Sequence, residues 1–209
     1  HSQKFLGVPK TIDNDLALTD HTPGFGSAAK YIAASTKEVI RDALGLTYNK
    51  EMITVIEVMG RNAGWLTGAT ALARTEECDG PDLIYLPEIL FDMEKFEKKV
   101  TELLKKKHSI VIAVSERIKT ADGKYVCELS GGADYVDAFG HKQLQGTAAY
   151  LAGHLGAVIG CKTRSIEVST LQRSASHMAS RVDVNEAFMV GGAAVKAADE
   201  GDSGKMVVI

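Results

Sequence analysis

Cysteine is scarce in this chain: Cys78, Cys127 and Cys161 are odd in number and show no C-x-x-C spacing. That argues against a disulfide framework or a zinc site and suits a reducing compartment, so the cytoplasm is the expected location. Neither sign of charge dominates, because 24 Lys and Arg against 27 Asp and Glu leave a net charge of -3. No bulk field therefore draws the chain to nucleic acid or to an anionic membrane, and neither is expected as a partner. No window reaches the roughly 18 consecutive apolar residues of a membrane-spanning helix, and no charged segment precedes an apolar one at the start. Proline is rare beside glycine, 4 against 20, and 45% hydrophobic with 24% charged residues excludes the disordered, collagenous and fibrous classes. H-E-x-x-H, G-x-S-x-G, P-loop and intact G-x-G-x-x-G motifs are missing, which removes hydrolase and P-loop readings.

What is present is a chain of 209 residues, one large domain or two small lobes at roughly 150 residues per domain. Apolar runs alternate with segments of helical spacing, the pattern of a parallel α/β fold. Strands are expected at 52–58, 83–86, 109–114, 165–168 and 206–209. Helices are expected through Ala29, Ile32, Ala33, Thr36, Ile40 and Ala43, through Met93, Phe96, Val100, Leu103 and Leu104, and through Leu144, Ala148, Leu151 and Leu155. A fourth opens with Asp183 and Glu186 in capping-box spacing, which predicts that these side chains satisfy N–H groups of its own first turn. Ala121-Asp122-Gly123-Lys124 reads as a hairpin turn, the stretch 130–138 as a glycine-containing loop, and Lys105-Lys106-Lys107 as the solvated end of a helix. The chain opens at His1 without methionine and stops in the apolar run 206–209, so it is expected to be a piece of a longer one.

In open parallel sheets ligands bind beyond the carboxyl ends of the strands, and four segments near such ends are unusually polar. Gly7-Val8-Pro9-Lys10-Thr11-Ile12-Asp13-Asn14-Asp15 places two carboxylates and a lysine in one loop. Asp13 and Asp15 can act as a general base and as a hard-oxygen ligand for Mg²⁺, the two needs of phosphoryl transfer; an Asx-rich turn reads the same residues equally well. Met59-Gly60-Arg61-Asn62-Ala63-Gly64 leads into a helix at Trp65, where free N–H groups and the Arg61 guanidinium favour an anion, although a plain strand-to-helix turn is the commoner use of such glycines. Glu116, in Ser115-Glu116-Arg117, closes a strand and can accept sugar hydroxyls, or can simply pair at the surface with Arg117. Arg164 and Gln172-Arg173 bracket another expected strand with two further guanidiniums. His141, His177, Met59 and Trp65 read as structural residues. The coincidence of Asp13, Asp15, Arg61, Glu116, Arg164 and Arg173 near strand ends suggests a site for a phosphorylated sugar.

These motifs resemble the phosphofructokinase family over essentially the whole chain. Pro9-Lys10-Thr11-Ile12-Asp13-Asn14-Asp15 is similar to its catalytic loop and Met59-Gly60-Arg61-Asn62-Ala63-Gly64 to its sugar-phosphate loop. Asp137-Ala138-Phe139-Gly140-His141 and Leu171-Gln172-Arg173 follow as landmarks in the same order. The resemblance implies an α/β fold with parallel-rich sheets and parts of two lobes: 1–50 the end of a donor-binding lobe, 51–175 a sugar-phosphate lobe, and 176–209 a return segment. It implies that Asp13 deprotonates the 1-hydroxyl of fructose 6-phosphate, with Lys10, Thr11 and Asp15 supporting the transferring group and its Mg²⁺. Met59, Gly60, Arg61 and Glu116 would hold the sugar, and Arg164 and Arg173 its 6-phosphate, one of them reaching across a homodimer or homotetramer with shared active sites.

Lys10 stands where bacterial ATP-dependent members carry glycine, and the loop is similar to the pyrophosphate-dependent and long-chain branches, some of which use ATP. The expected donor is pyrophosphate, with ATP the first alternative and a catalytically silent sugar-phosphate-binding subunit the second. Thr170 occupies the place of a sugar-phosphate-binding histidine and Met52 that of an inter-subunit arginine, for which Lys50 or a residue of another subunit can substitute. The family's Gly-Gly-Asp donor segment would lie upstream of His1, so this chain by itself is expected to turn over little or nothing.

Overall fold

The computed structural model describes residues 3–46, 50–130 and 146–209. The loop after residue 130, the Asp137 to His141 landmark and Leu144 lie outside them. In chain order the elements are β1 (Leu6–Gly7), α1 (Phe25–Leu46), β2 (Met52–Val58), α2 (Trp65–Ala69), β3 (Leu83–Tyr85), α3 (Met93–Leu104), β4 (Ser109–Ser115), α4 (Thr147–Ile159), β5 (Lys162–Glu167), α5 (Leu171–Ser174), α6 (Arg181–Asp199) and β6 (Lys205–Met206). They form two compact units, Ile32–Ser169 and the two segments His1–Tyr31 and Thr170–Ile209, with the boundary inside α1.

The larger unit is built on a parallel four-stranded sheet in the order β3-β4-β2-β5. β2 (MITVIEV) and β4 (SIVIAVS) are nearly continuous apolar runs because both faces of a parallel sheet are covered. Every residue of the two strands is buried except Glu57, which is half-buried. Ile53 and Val55 with Ile110, Ile112 and Val114 meet Phe96, Val100 and Leu104 of α3 and Ala148, Leu151 and Leu155 of α4. The spacing of four residues in α3, and of three and then four in α4, lays those side chains along one stripe of each helix. Asp92 caps α3 by accepting from Lys95 N at 3.0 Å, and Gly160 ends α4 in the left-handed conformation with φ +79°. Lys105 and Lys106 are exposed beyond α3 as expected, while Lys107 pairs with Asp82. The hairpin turn at 121–124 is present, closed by Thr120 N donating to Lys124 O at 2.9 Å.

After β2 the chain runs outward to β3, returns to β4, and then crosses β2 to reach β5. The connections leaving the neighbouring strands β2 and β4 thus depart in opposite directions, which opens a crevice at their carboxyl ends. β5 starts earlier than its apolar residues indicate, since Lys162, Thr163 and Arg164 pair with Met52, Ile53 and Thr54. An edge strand with half-exposed positions needs no apolar run, so periodicity alone located only its second half.

In the smaller unit β1 pairs in parallel with β6, Leu6 opposite Lys205 and Gly7 opposite Met206. The run expected to be a strand over 206–209 is a strand only through Met206: one further bond returns to β1, and its end at Ile209 turns to the loop at Thr19 and Asp20. Val207 N donates to Gly7 O at 3.0 Å, and Ile209 N donates to Thr19 Oγ1 at 3.1 Å. α6 begins at Arg181 with Ser180 as an N-cap that makes no side-chain bond, which corrects the capping box. Asp183 instead accepts from Gly24 N at 2.6 Å and from Ser27 N at 3.1 Å, capping the start of α1, and Glu186 turns to His21. Spacing identifies a capping carboxylate but not which helix it caps. Among the described residues no helix is long and apolar enough to cross a membrane.

Candidate active site

Beyond the carboxyl ends of β2 and β4, at the switch in strand order, the larger unit places Arg61 and Glu116. Residues 59–64 follow β2 directly, and Gly60 has φ +134° with its missing Cβ only 2.5 Å from Ala63 O, so no other residue fits that turn. Met59 is half-buried beside it and Arg61 is exposed. Across the crevice Glu116 N donates to Val58 O at 3.0 Å, and Arg61 Nε donates to Glu116 Oε1 at 3.3 Å. Glu116 O in turn accepts from Thr147 Oγ1 at 2.6 Å, so the first residue of α4 fixes the main chain that carries Glu116. The arrangement presents an acceptor for hydroxyls and a guanidinium for an anion side by side.

Three expectations change here. The arginine paired with Glu116 is Arg61 rather than Arg117, whose guanidinium lies 5.2 Å from the ring centre of Tyr125. The N–H at the head of α2 does not await an anion, because Gly64 N donates to Glu88 Oε1 at 2.7 Å. Arg164 does not flank β5 but lies inside it, three residues or roughly 10 Å short of its end, and donates to Asp42 Oδ2 at 3.3 Å. Within this unit the structure brings Met59, Gly60, Arg61 and Glu116 together and leaves Arg164 apart.

Glu57 escaped the sequence reading, although a lone charge inside an apolar strand is a visible signal. Alternation puts it on the sheet face of Ile53 and Val55, opposite Glu167 on β5. Its Oε2 accepts from Ala148 N at 2.8 Å at the start of α4. Burial pushes its carboxyl up to about 7, the charges of Glu167 and Glu116 add to the rise, and the Ala148 N–H opposes it.

The smaller unit holds loop 9–15 by side-chain pins. Thr11 bridges Gly24, Thr22 Oγ1 donates to Thr11 O at 2.7 Å, and Thr22 N donates to Asn14 Oδ1 at 3.0 Å. Asn14 takes φ +55°, a conformation asparagine tolerates, and Asp13 N donates to Thr11 Oγ1 at 3.0 Å. The turn is closed locally by Thr11, whose Oγ1 accepts from Asp13 N, while Asn14 fastens it to Thr22, and Asp13 and Asp15 are carried on it. Lys10 and Asp15 are exposed and Asp13 is half-buried. A cleft of about 210 Å³ is lined by Ile12 from this loop together with Ser27, Gln172, Arg173 and Asp183, so Arg173 joins the aspartate loop. The fastening roles of Asn14, Thr22 and Asp183 are new: the sequence places Asn14 inside the loop motif and Asp183 as a cap of its own helix, and it gives no sign of Thr22.

Residues 1–198 match the phosphofructokinase family. The chain belongs to that family. It is 46% identical over 204 residues to the pyrophosphate–fructose 6-phosphate 1-phosphotransferase of Halomonas elongata, which covers 98% of this chain and 48% of that protein. Among solved structures, the pyrophosphate-dependent phosphofructokinase of Nitrosospira multiformis is 38% identical with a TM-score of 0.79, covering 96% of this chain and 46% of that one. That of Marinobacter aquaeolei is 36% identical with a TM-score of 0.82, covering 99% and 47%. This phosphofructokinase-family chain thus spans about half the length of the relatives it matches.

Proposed function

We propose that the protein transfers a phosphoryl group from pyrophosphate to the 1-hydroxyl of fructose 6-phosphate, giving fructose 1,6-bisphosphate and orthophosphate. The observation that carries this reading is the pinned loop 9–15, which keeps Lys10, Thr11, Asp13 and Asp15 on one turn in a chain 46% identical to an enzyme of that name. Asp13 takes the hydroxyl proton as the sugar oxygen attacks phosphorus in line and the bridging P–O bond breaks. Lys10 neutralises the departing orthophosphate, a point charge on a long stem suited to that task. Thr11 and Asp15 support the transferring group.

Met59, Gly60, Arg61 and Glu116 hold the sugar in the crevice of the larger unit, which serves as the sugar-phosphate lobe. Arg173, which lines the cleft beside Ile12, meets the 6-phosphate. Arg164, held away from the crevice on Asp42, serves the site of a neighbouring copy in a homodimer or homotetramer. No three His, Cys, Asp or Glu side chains are grouped around a metal position among the described residues. Mg²⁺ is commonly held by one or two carboxylates plus substrate phosphates, and Asp15 offers the hard oxygen it takes. Bound there, Mg²⁺ would neutralise phosphate charge. Three free cysteines suit a cytoplasmic setting.

The test is a coupled assay with fructose 6-phosphate and Mg²⁺, offering pyrophosphate or ATP, on this chain and on the protein at the length its gene encodes. Turnover with pyrophosphate alone is the expected result at gene length, with little or none from this chain by itself. Turnover with ATP alone replaces the donor while keeping the acceptor assignments, and silence with both donors favours a sugar-phosphate-binding subunit.

A further inference from the structure

Three carboxylates gather at the carboxyl edge of the sheet, and the proposed reaction uses only Glu116. We propose that Glu57 is a positioning residue that anchors the amino end of α4 and, through Thr147, sets the main chain that presents Glu116 to the sugar. The inference rests on the functional reading above. Its basis is a continuous chain of contacts. The first turn of a helix leaves N–H groups without helical partners, and Gly146, the N-cap of α4, has no side chain to satisfy them. Glu57 supplies the acceptor from another element, taking the Ala148 N–H at 2.8 Å, and a carboxylate at a helix amino end is also favoured by the helix dipole. One residue earlier, Thr147 Oγ1 donates to Glu116 O at 2.6 Å, and the Glu116 carboxylate then meets Arg61 at 3.3 Å.

The fit at this junction is tight. A Cβ on Gly146 would lie 2.8 Å from Glu57 Oε2 and closer still to Glu167 Oε1, so the two carboxylates close directly on the helix end. Packing alone does not account for Glu57. Its neighbours along the same sheet face are Ile53 and Val55, and an apolar side chain would fill that position without the cost of placing a carboxylate beside Glu167 and Glu116. What an apolar residue cannot do is hold the Ala148 N–H. Glu57 also lies four residues before Arg61 on the same strand and loop, so it ties the Arg61 side of the crevice to the helix that fixes the Glu116 side.

The experiment uses the protein at the length its gene encodes and compares wild type with Glu57→Ala, Glu57→Gln and Thr147→Val. Glu57→Ala should raise KM for fructose 6-phosphate about 10- to 100-fold, with kcat within about 3-fold and KM for the phosphoryl donor unchanged. Glu57→Gln, whose amide oxygen still accepts the Ala148 N–H, should restore KM to within about 3-fold of wild type. Thr147→Val keeps the shape of a buried residue while removing the bond to Glu116 O, and should raise the same KM. If Glu57→Ala fails to fold, as read by circular dichroism, Glu57→Gln and Thr147→Val still decide. An unchanged KM in Thr147→Val, equal losses in Glu57→Ala and Glu57→Gln, or parallel changes in both KM values and kcat overturn the proposal. A wild type that turns over no sugar phosphate overturns the functional reading and this inference with it, whereas an active wild type with unsplit variants overturns this inference alone.

Discussion

The larger unit presents Arg61 and Glu116 from the ends of strands buried on both faces, whereas the smaller unit presents Lys10, Thr11, Asp13 and Asp15 from a loop fastened by hydrogen bonds to Thr22 and Asn14. Close packing resists displacement in every direction, and its loss is felt as stability. A pinned loop has few contacts to lose, and each one bears directly on the geometry of the side chains it carries. The large apolar residues follow the same division. Phe96 is fully buried in the larger unit, while Phe188 of α6 is 84% exposed in the smaller one.

The largest expected effect is on chemistry in the smaller unit. Asp13→Asn, assayed at gene length by steady-state kinetics, should lower kcat by about 10²- to 10⁴-fold while changing fructose 6-phosphate affinity only about 3-fold. Equal loss of rate and affinity would assign Asp13 to binding. Next, Phe96→Ala should cost about 3–5 kcal/mol in urea unfolding of this chain, since it opens a cavity between α3 and the sheet. Phe188→Ala on the same chain should stay within about 0.5 kcal/mol. Similar costs for the two would erase the contrast between the units.

A smaller effect tests whether stability and site geometry are coupled in the smaller unit. Asp183 is buried, accepts from Gly24 N and Ser27 N, and Gly24 also bridges Thr11. Asp183→Ala should therefore cost about 1–3 kcal/mol and, unlike Phe96→Ala at matched temperature below unfolding, should also lower kcat. A loss of stability with kcat intact would show that the loop is held by Thr22 and Asn14 alone.

Much of the larger unit was legible because its strands carry the signal that periodicity reads. The bounds of β2 and α3 agree with the apolar pattern, and β4 extends it by one residue, Ser115, which is buried and bonded to Thr67. β5 was read short because an edge strand opens on Lys162, Thr163 and Arg164. In the site, residue types and loop order pointed to Asp13, Arg61, Glu116 and Arg173, whereas their partners were hidden. The partners depend on which distant elements meet, and no local spacing records that Asp183 caps α1 or that Arg61 faces Glu116. Glu57 is the exception, since its charge broke an apolar run in plain sight.

The finest test of the contrast is pH: Glu57 in the larger unit and His21 in the smaller one both have raised folded pKa values, for opposite reasons. Burial raises Glu57 from 4.5 to about 7, so its neutral form is the one the fold favours. The stability associated with it is fully present below about 4.5 and is lost as pH rises through about 7, on the order of 3 kcal/mol in all. Glu57→Gln should remove that slope. His21 is raised from 6.5 first by its hydrogen bond to Glu186 and then by that to Asp20, so its charged form is favoured. Its contribution is present below 6.5 and is lost as pH rises through the higher folded value, and for a partly exposed ion pair it amounts to about 1 kcal/mol or less. Salt separates the two. Raising ionic strength screens the His21 pairs at the surface and should flatten the slope above pH 6.5, but it leaves the desolvation of Glu57 in place. Urea midpoints of wild type, Glu57→Gln and His21→Gln between pH 4 and 9, at low and high salt, resolve both slopes. A salt-sensitive slope in the window of Glu57 would mean that the charges of Glu167 and Glu116, rather than burial, hold its proton, and the crevice would then be governed by electrostatics as the smaller unit is.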